Sequence, residues 1–456
     1  MVEDIPNPQK PLERSIHTLP TTTRGWHRRV WILAGPVILS NLSVPLVGAV
    51  DTAVVGHLPD AVYMGAVALG AIVFNFLYWG FGFLRMGTSG FVAQAYGAGD
   101  ASEIRVALAR ALLIAVVIGI FVIAMQLPLA KLAFSVLEGS LQLEGLAQSY
   151  FAVRIWSAPA ALVNFAILGC LIGIHNTRAA LGVQLTLNLC NVALDLLFVL
   201  GFGWGVEGVG LASLISEYIA VFVGLWFIKL NFERLGGSWK PHAIFDPQRL
   251  KALIHVNANI FIRTLGVIFA FFYFTAMSTR LGELTLAANA VLMHMQHFLA
   301  FGLDGFAFAV EALAGSAYGM RSRSQFRAAI KATTLWALIF AGIYTIIYAC
   351  FGLHIINAIT GIENVRLRAA EFLPWLIISP LISVWSYQLD GIFIASTRSV
   401  EMRNGMLLAV SSYLVAVWIF LPRWENHGLW FSLIILMIGR AVFLAVYYPR
   451  IERDLD

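Results

Sequence analysis

Asp51 stands in the segment "VPLVGAVDTAVVGHL" (44–58), with apolar residues on both sides and no lysine or arginine within the run. A second acid, Asp195, is the lone carboxylate of "QLTLNLCNVALDLLFVLG" (184–201). There Gln184, Asn188, Asn191 and Asp195 fall four, three and four residues apart, so a helix would present them as one polar stripe. A carboxylate set at the centre of an apolar helix costs about 2.5–3.5 kcal/mol on insertion scales, which makes it a functional candidate by default. The chemistry on offer is proton exchange, because two buried carboxyls near one another can hold a proton between them.

The elements that position these acids must cross a membrane. The 456 residues are 59% hydrophobic and 12% charged, with mean hydropathy +0.80, against about 25% charged in soluble domains. Apolar runs of about 20 residues suffice to cross a hydrocarbon core, and twelve are predicted: 30–57, 65–95, 104–130, 145–176, 179–201, 207–230, 250–280, 285–318, 326–354, 365–397, 404–422 and 428–449. Backbone groups cannot go unpaired in lipid and the runs are too long for barrel strands, so an all-α polytopic membrane protein is expected.

The net charge of +5 is a topology signal rather than a nucleic-acid footprint. Of 30 Lys and Arg residues, Lys131, Arg280, Arg366, Arg368 and Arg423 fall on one side, Arg85, Arg154 and Arg263 lie within spans, and the rest gather at the tails and the even-numbered connections. The positive-inside rule then puts both termini in the cytoplasm. Residues 1–29 are polar and contain proline, unlike a signal peptide. Cys170, Cys190 and Cys350 lie in apolar runs without metal-like spacing and read as small hydrophobes.

A repeat of about 220 residues divides the chain. "GFVAQAYGAGDASEIR" (90–105) aligns with "ALAGSAYGMRSRSQFR" (312–327), and "SAPAALVNFAILGCLIGIHNTR" resembles "ISPLISVWSYQLDGIFIASTR". An even repeat predicts two six-helix lobes in the same orientation, related by a pseudo-two-fold axis along the membrane normal. The expected divisions are a tail at 1–29, an N-lobe at 30–230, a linker at 231–249, a C-lobe at 250–449 and a tail at 450–456.

Depth follows from topology and a rise of about 1.5 Å per residue. Span 1 is expected to end near His57, which leaves Asp51 about 9 Å below the outer boundary, and Asp195 lies equally far from Gly201. Tyr150 in span 4 and Ser213 in span 6 fall at the same level. Arg154, one turn deeper than Tyr150, is a candidate partner for the acids, whereas Arg85 lies too near the cytoplasmic side. Pro36 and Pro45 permit a kink in span 1. These polar groups could instead satisfy one another as structural interhelical bonds. In the second half, His294, His297, Asp304 and Glu311 form a stripe in span 8, with Arg263 in span 7 and Asp390 in span 10. That stripe reads as ion pairs facing a cavity or as a second ion site. No tight metal cluster is expected.

"LVGAVDTAVVGHL", the "AYGA" that ends span 2, "RIWSAPAALVNFAILG", "NVALDLLFVLGFGWGVEGVGLA" and "LDGFAFAVEALAGSAYGMR" together resemble the multidrug and toxic compound extrusion (MATE) transporters, in the form of the DinF branch. The resemblance implies two six-helix lobes around a V-shaped cavity and cation-coupled export of bulky cationic or amphipathic compounds. It implies a coupling site at Asp51, Asn191 and Asp195, with Tyr150 beside it and Ser213 where threonine is common. A C-lobe acid would be Asp390, but the glutamate that one branch carries on span 7 is absent here. Protons are therefore favoured over sodium as coupling ion, with no other cofactor and no metal.

The expectation is a monomeric antiporter of the bacterial inner membrane that handles small organic cations, does not bind nucleic acid and is not an enzyme. Protonation at Asp51 and Asp195 would act on span 1 at Pro36 and displace cargo that Tyr78, Trp79, Phe81 and Phe83 could stack against. A lipid-linked substrate flippase would show a more cationic cavity. An intramembrane enzyme would show a catalytic motif such as H-E-x-x-H or G-x-S-x-G, and none is present. A passive channel would lack obligatory exchange.

Overall fold

The computed structural model describes residues 19–56, 60–136 and 140–456. The predicted end of span 1 at His57 and most of the polar tail lie outside them. Fifteen α-helices follow one another among the described residues: α1 Thr23–Val55, α2 Ala61–Gly80, α3 Phe83–Gly97, α4 Ala101–Ala124, α5 Gln126–Val136, α6 Leu141–Arg154, α7 Ala158–Gly173, α8 Thr177–Asp195, α9 Gly205–Leu235, α10 Pro241–Ile244, α11 Pro247–Arg280, α12 Glu283–Gly319, α13 Arg323–Ile359, α14 Glu363–Ala395 and α15 Ser399–Arg453. No strand occurs among them.

Several predicted spans are interrupted, each for a local reason. Span 2 breaks at Phe81–Gly82 between α2 and α3, where glycines 80 and 82 flank the joint. Span 4 changes from α6 to α7 through a 3₁₀ turn at Ile155–Ser157. Pro159, at the start of α7, has no N–H to donate to Ile155, so the α ladder cannot run through. Span 3 turns at Met125, and span 5 leaves α8 by a π turn at Leu196–Gly201, directly after Asp195. Spans 11 and 12 are continuous in α15 except at Glu425, whose φ of 46° turns the chain. Helix α1 runs unbroken through both Pro36 and Pro45.

The internal repeat is written into the backbone. Helix starts at Ala61 and Glu283, Ala101 and Arg323, Leu141 and Glu363, and Thr177 and Ser399 are each 222 residues apart, as are the ends at Gly97 and Gly319 and at Gly173 and Ala395. Positive φ recurs at the same offset in Gly99 and Arg321, His175 and Thr397, and Gly203 and Glu425. Left-handed backbone is uncommon for residues other than glycine. Its return at three matched positions identifies equivalent turns in two six-helix halves.

The halves meet most closely at the end that carries the basic connections, through α3 and α12. A Cβ on Gly97 would lie 1.9 Å from the Ser316 carbonyl oxygen, and one on Gly319 would lie 2.0 Å from that of Gln94. These contacts exchange under the 222-residue offset, as a two-fold axis between α3 and α12 requires. Around them Gln94 Nε2 donates to the Ala395 carbonyl at 2.8 Å, and His175 Nε2 lies 3.0 Å from the Ala312 carbonyl and 2.9 Å from Ser316 Oγ. The outer faces are lined by exposed apolar side chains such as Val117, Ile120 and Phe121, as helices in contact with lipid require.

Arginines tie the connections at the basic end. Arg105 donates to the Phe232 and Gly236 carbonyls, Arg110 to those of Ala243 and Ile244, and Arg249 meets Glu103 at 2.5 Å, which pins α10 and its flanks to α4. At the C-terminus Glu452 accepts from Arg327 at 2.5 Å and Arg323 at 3.2 Å. The hydrogen bond from Arg327, with others from Tyr448 and Arg323, holds the Glu452 carboxyl down at about 2 against an ordinary 4.5.

Two outcomes are expected. A depressed carboxyl stabilises above its unfolded-state value and loses that contribution as pH falls through its folded value. Glu452→Gln should therefore lower the unfolding midpoint at neutral pH, with the difference from the parent shrinking below about pH 4.5, as read by fluorescence-monitored thermal unfolding in detergent. Gly97→Val should part the halves at the basic end. Its readout is several-fold faster maleimide labelling of Thr397→Cys in a background with Cys170, Cys190 and Cys350 replaced by alanine; unchanged labelling would count against this contact as the closure.

Candidate functional site

Asp51 near the end of α1 and Asp195 at the end of α8 lie close enough for each carboxyl to act on the other. Asp195 is fully buried. Asp51 Oδ1 and both oxygens of Asp195 have no donor among the described residues. Two neighbouring carboxyls with buried oxygens open in this way are complementary to one shared proton. The π turn that follows Asp195 ends the α ladder at that residue, and such bulges recur at functional sites.

Arg154 is the cation whose charge reaches both acids, yet its bond is to Tyr150. Its guanidinium donates to the Tyr150 hydroxyl one turn away on α6 and lies 4.9 Å from the Phe74 ring centroid, while its Nε has no acceptor among the described residues. Tyr150 is 1% exposed and fills the space beside Gly70 of α2. The polar stripe of α8 divides its contacts between two neighbours. Asn191 donates to Ser213 Oγ of α9 at 3.4 Å. Gln184 donates to Asn188 Oδ1 at 3.1 Å, and Asn188 donates to Ser43 Oγ of α1 at 2.6 Å. Asp51, Asp195, Tyr150, Arg154, Asn191 and Ser213 thus form one neighbourhood, and Asn188 and Gln184 continue it along α1. Pro36 lies two turns before Ser43 in the same unbroken helix.

Glu217 of α9 also belongs here and was not singled out in the sequence. It accepts from Asn164 Nδ2 of α7 at 2.7 Å, and its charge acts on Arg154. Tyr78 meets Ser157 at 2.9 Å beside them. The signal was present: Glu217 is an acid inside the apolar stretch "ASLISEYIAVFVG", and the argument that marks Asp195 applies to it equally.

The second half builds a different arrangement around a cavity of about 200 Å³ between the halves. Asp390 of α14 accepts through the same Oδ2 from Arg263 of α11 and from Arg440 of α15, the latter at 2.6 Å. Glu311 of α12 meets Arg85 of α3 at 3.3 Å, an ion pair that joins the two halves. Arg85 also lies 3.8 Å from the Phe308 ring centroid and lines a second cleft with Ser40, Asn41 and Gln184. It is therefore a partner of Glu311 and not of Asp51. Asp304 and His297 line the central cavity, and Asp304 has no ion pair among the described residues. No group of His, Cys, Asp and Glu fit to hold a metal occurs among the described residues, and the three cysteines are free.

Two repeat-related six-helix halves that enclose a charged intramembrane cavity define a membrane transporter. A MatE family model matches residues 36–197 and again residues 260–419. The chain belongs to the MatE family of multidrug transporters, and the match falls once on each half. It is 37% identical to DNA damage-inducible protein F of Escherichia coli (strain K12) over 94% of this chain and 93% of that protein. Two solved structures share the fold at TM-score 0.85 over 97% of this chain and 98% of theirs: a MOP superfamily transporter from Pyrococcus furiosus, at 17% identity, and a multidrug resistance MATE family transporter in an outward-facing conformation, at 16%.

Removing one partner of a buried ion pair costs about 3–5 kcal/mol. Asp390→Asn leaves Arg263 and Arg440 facing each other without a carboxylate and should lower the thermal unfolding midpoint in detergent well below that of Asp304→Asn, which breaks no ion pair. Equal midpoints would show that Asp390 does not hold the two arginines.

Proposed function

We propose that the protein is a proton-coupled antiporter that exports bulky cationic or amphipathic compounds across the bacterial cytoplasmic membrane, with both termini on the cytoplasmic side. The reading is carried by the proximity of Asp51 and Asp195, with Asp51 Oδ1 and both Asp195 oxygens lacking a donor among the described residues. The pair is suited to a proton, since one proton between two oxygens completes the contact and its loss leaves two facing carboxylates that repel. A sodium ion would instead require several oxygen ligands to converge.

The conformation supports an exchange cycle. The halves are closed at the basic end by the contacts of Gly97 and Gly319, as the state of the cycle that takes up protons from the opposite side would require. A proton entering from that side at Asp51 and Asp195 removes the charge that attracts a cationic cargo, and the two ligands compete. The strain of changing charge falls on α1, which carries Asp51, Pro36 and Pro45 in one helix. Opening at the basic end then releases the proton. Each proton moving down the membrane potential supplies about 2.3 kcal/mol per 100 mV.

Proteoliposomes loaded with a cationic dye test this reading. An imposed pH gradient should drive efflux, a sodium gradient alone should not, and Asp51→Asn and Asp195→Asn should each abolish the pH-driven component while inserting normally. Full efflux by Asp51→Asn, or efflux driven by sodium alone, would overturn proton coupling at this pair.

A further inference from the structure

The central cavity carries charges that the acid pair of the first half does not use. Arg263 and Arg440 are 8% and 5% exposed, and both donate to the single oxygen Asp390 Oδ2. Two guanidiniums on one carboxylate leave one of them without an ion pair of its own among the described residues. Among the described residues each arginine also keeps an Nε with no acceptor, and Arg440 Nη1 has only the Met437 sulfur at 3.4 Å. A buried charged donor without an acceptor costs free energy that an entering oxygen would recover. On α12, facing the same cavity, Asp304 is a carboxylate with no ion pair or hydrogen bond among the described residues, although its charge acts on Arg85, Arg263 and Arg440. The third arginine, Arg85, is already matched by Glu311.

The cavity therefore presents guanidinium donors without an acceptor at one place and a carboxylate without an ion pair at another, and aromatic Phe271, Phe308 and Tyr387 line it as well. A simple organic cation satisfies only Asp304. We propose that this wall is a cargo subsite for zwitterionic amphipaths: an amine or quaternary nitrogen sits against Asp304 while a carboxylate or phosphate of the same molecule takes the open donors of Arg263 and Arg440. The anionic group shares the two guanidiniums with Asp390, in the manner that guanidinium forks favour. The flat or apolar body lies against the aromatic wall. The inference rests on the export reading only in calling the occupant cargo.

Equilibrium binding to the purified full-length protein in lipid nanodiscs, followed by fluorescence anisotropy without any gradient, tests the subsite separately from coupling. The probes are a xanthene dye as its ethyl ester, a single cation, and the same dye as its free acid, a zwitterion. The free acid should bind about tenfold more tightly than the ester. That ratio should fall to about one in Arg263→Gln and Arg440→Gln, and Asp304→Asn should weaken both dyes. Should Arg440→Gln fail to fold, Arg263→Lys keeps the charge, removes the open Nε and should still lower the ratio. Equal affinity of the two dyes in the parent, no binding of either, a preference that survives the arginine changes, or unaltered affinities in Asp304→Asn would each overturn the subsite. Loss of gradient-driven efflux with the binding preference intact would overturn the coupling scheme instead.

Discussion

The backbone contacts of Gly97 with Ser316 and of Gly319 with Gln94 set the geometry of everything above them. At separations where a single Cβ would lie about 2 Å from a carbonyl oxygen, no side chain can enter between α3 and α12, so the seam is sealed by the main chain itself. Helices in a membrane gain little from the hydrophobic effect when they associate and rely on such close approaches by small residues. Because each contact is the image of the other, tilting one half against the other loosens both together. The seam behaves as one unit, and the Arg85 to Glu311 pair, two turns further along α12, spans the same gap.

The two halves keep the same backbone and spend it on different chemistry. The positions 222 residues from Asp51 and Asp195 are Tyr273 and Val417, and the position matching Asp390 is Leu168. The first half concentrates unpaired carboxyl oxygens beside an arginine engaged with a tyrosine. The second places two arginines on one aspartate. A strict repeat would have put like sites at the same depth on both sides of the axis. The divergence gives one wall that can change its charge by a proton and another that holds two arginines on a single aspartate.

Much of this could be read from the chain. Hydropathy finds the twelve spans because a bilayer imposes their length, and the repeat shows in the "AYG" that closes both seam helices. Depth alone brought Asp51 to the level of Asp195, whereas Arg154, read as a partner for the acids, bonds instead to Tyr150 one turn away. The breaks at Phe81–Gly82 and Ile155–Ser157 were not legible, since an apolar average over twenty residues passes over a single glycine or proline. Nor were the ion partners: Arg263 and Asp390 are 127 residues apart, Arg85 and Glu311 226, and nothing local in either segment selects the other.

The ion pair across the seam bears on how such a bundle can open without unfolding. Stripping a guanidinium from a carboxylate inside hydrocarbon leaves two uncompensated charges at several kcal/mol each. Arg85 and Glu311 both line the cavity, however, so the gap that separates them is also the one that admits water. Hydration then takes over from the lost partner, and the cost falls toward that of a surface pair, roughly 1 kcal/mol or less. A pair placed on the cavity can therefore hold the closed state while it is dry and yield once the seam begins to part, whereas the same pair set between two helices of one half would resist any motion. Its position across the gap between the halves, rather than its strength, is what makes it compatible with movement.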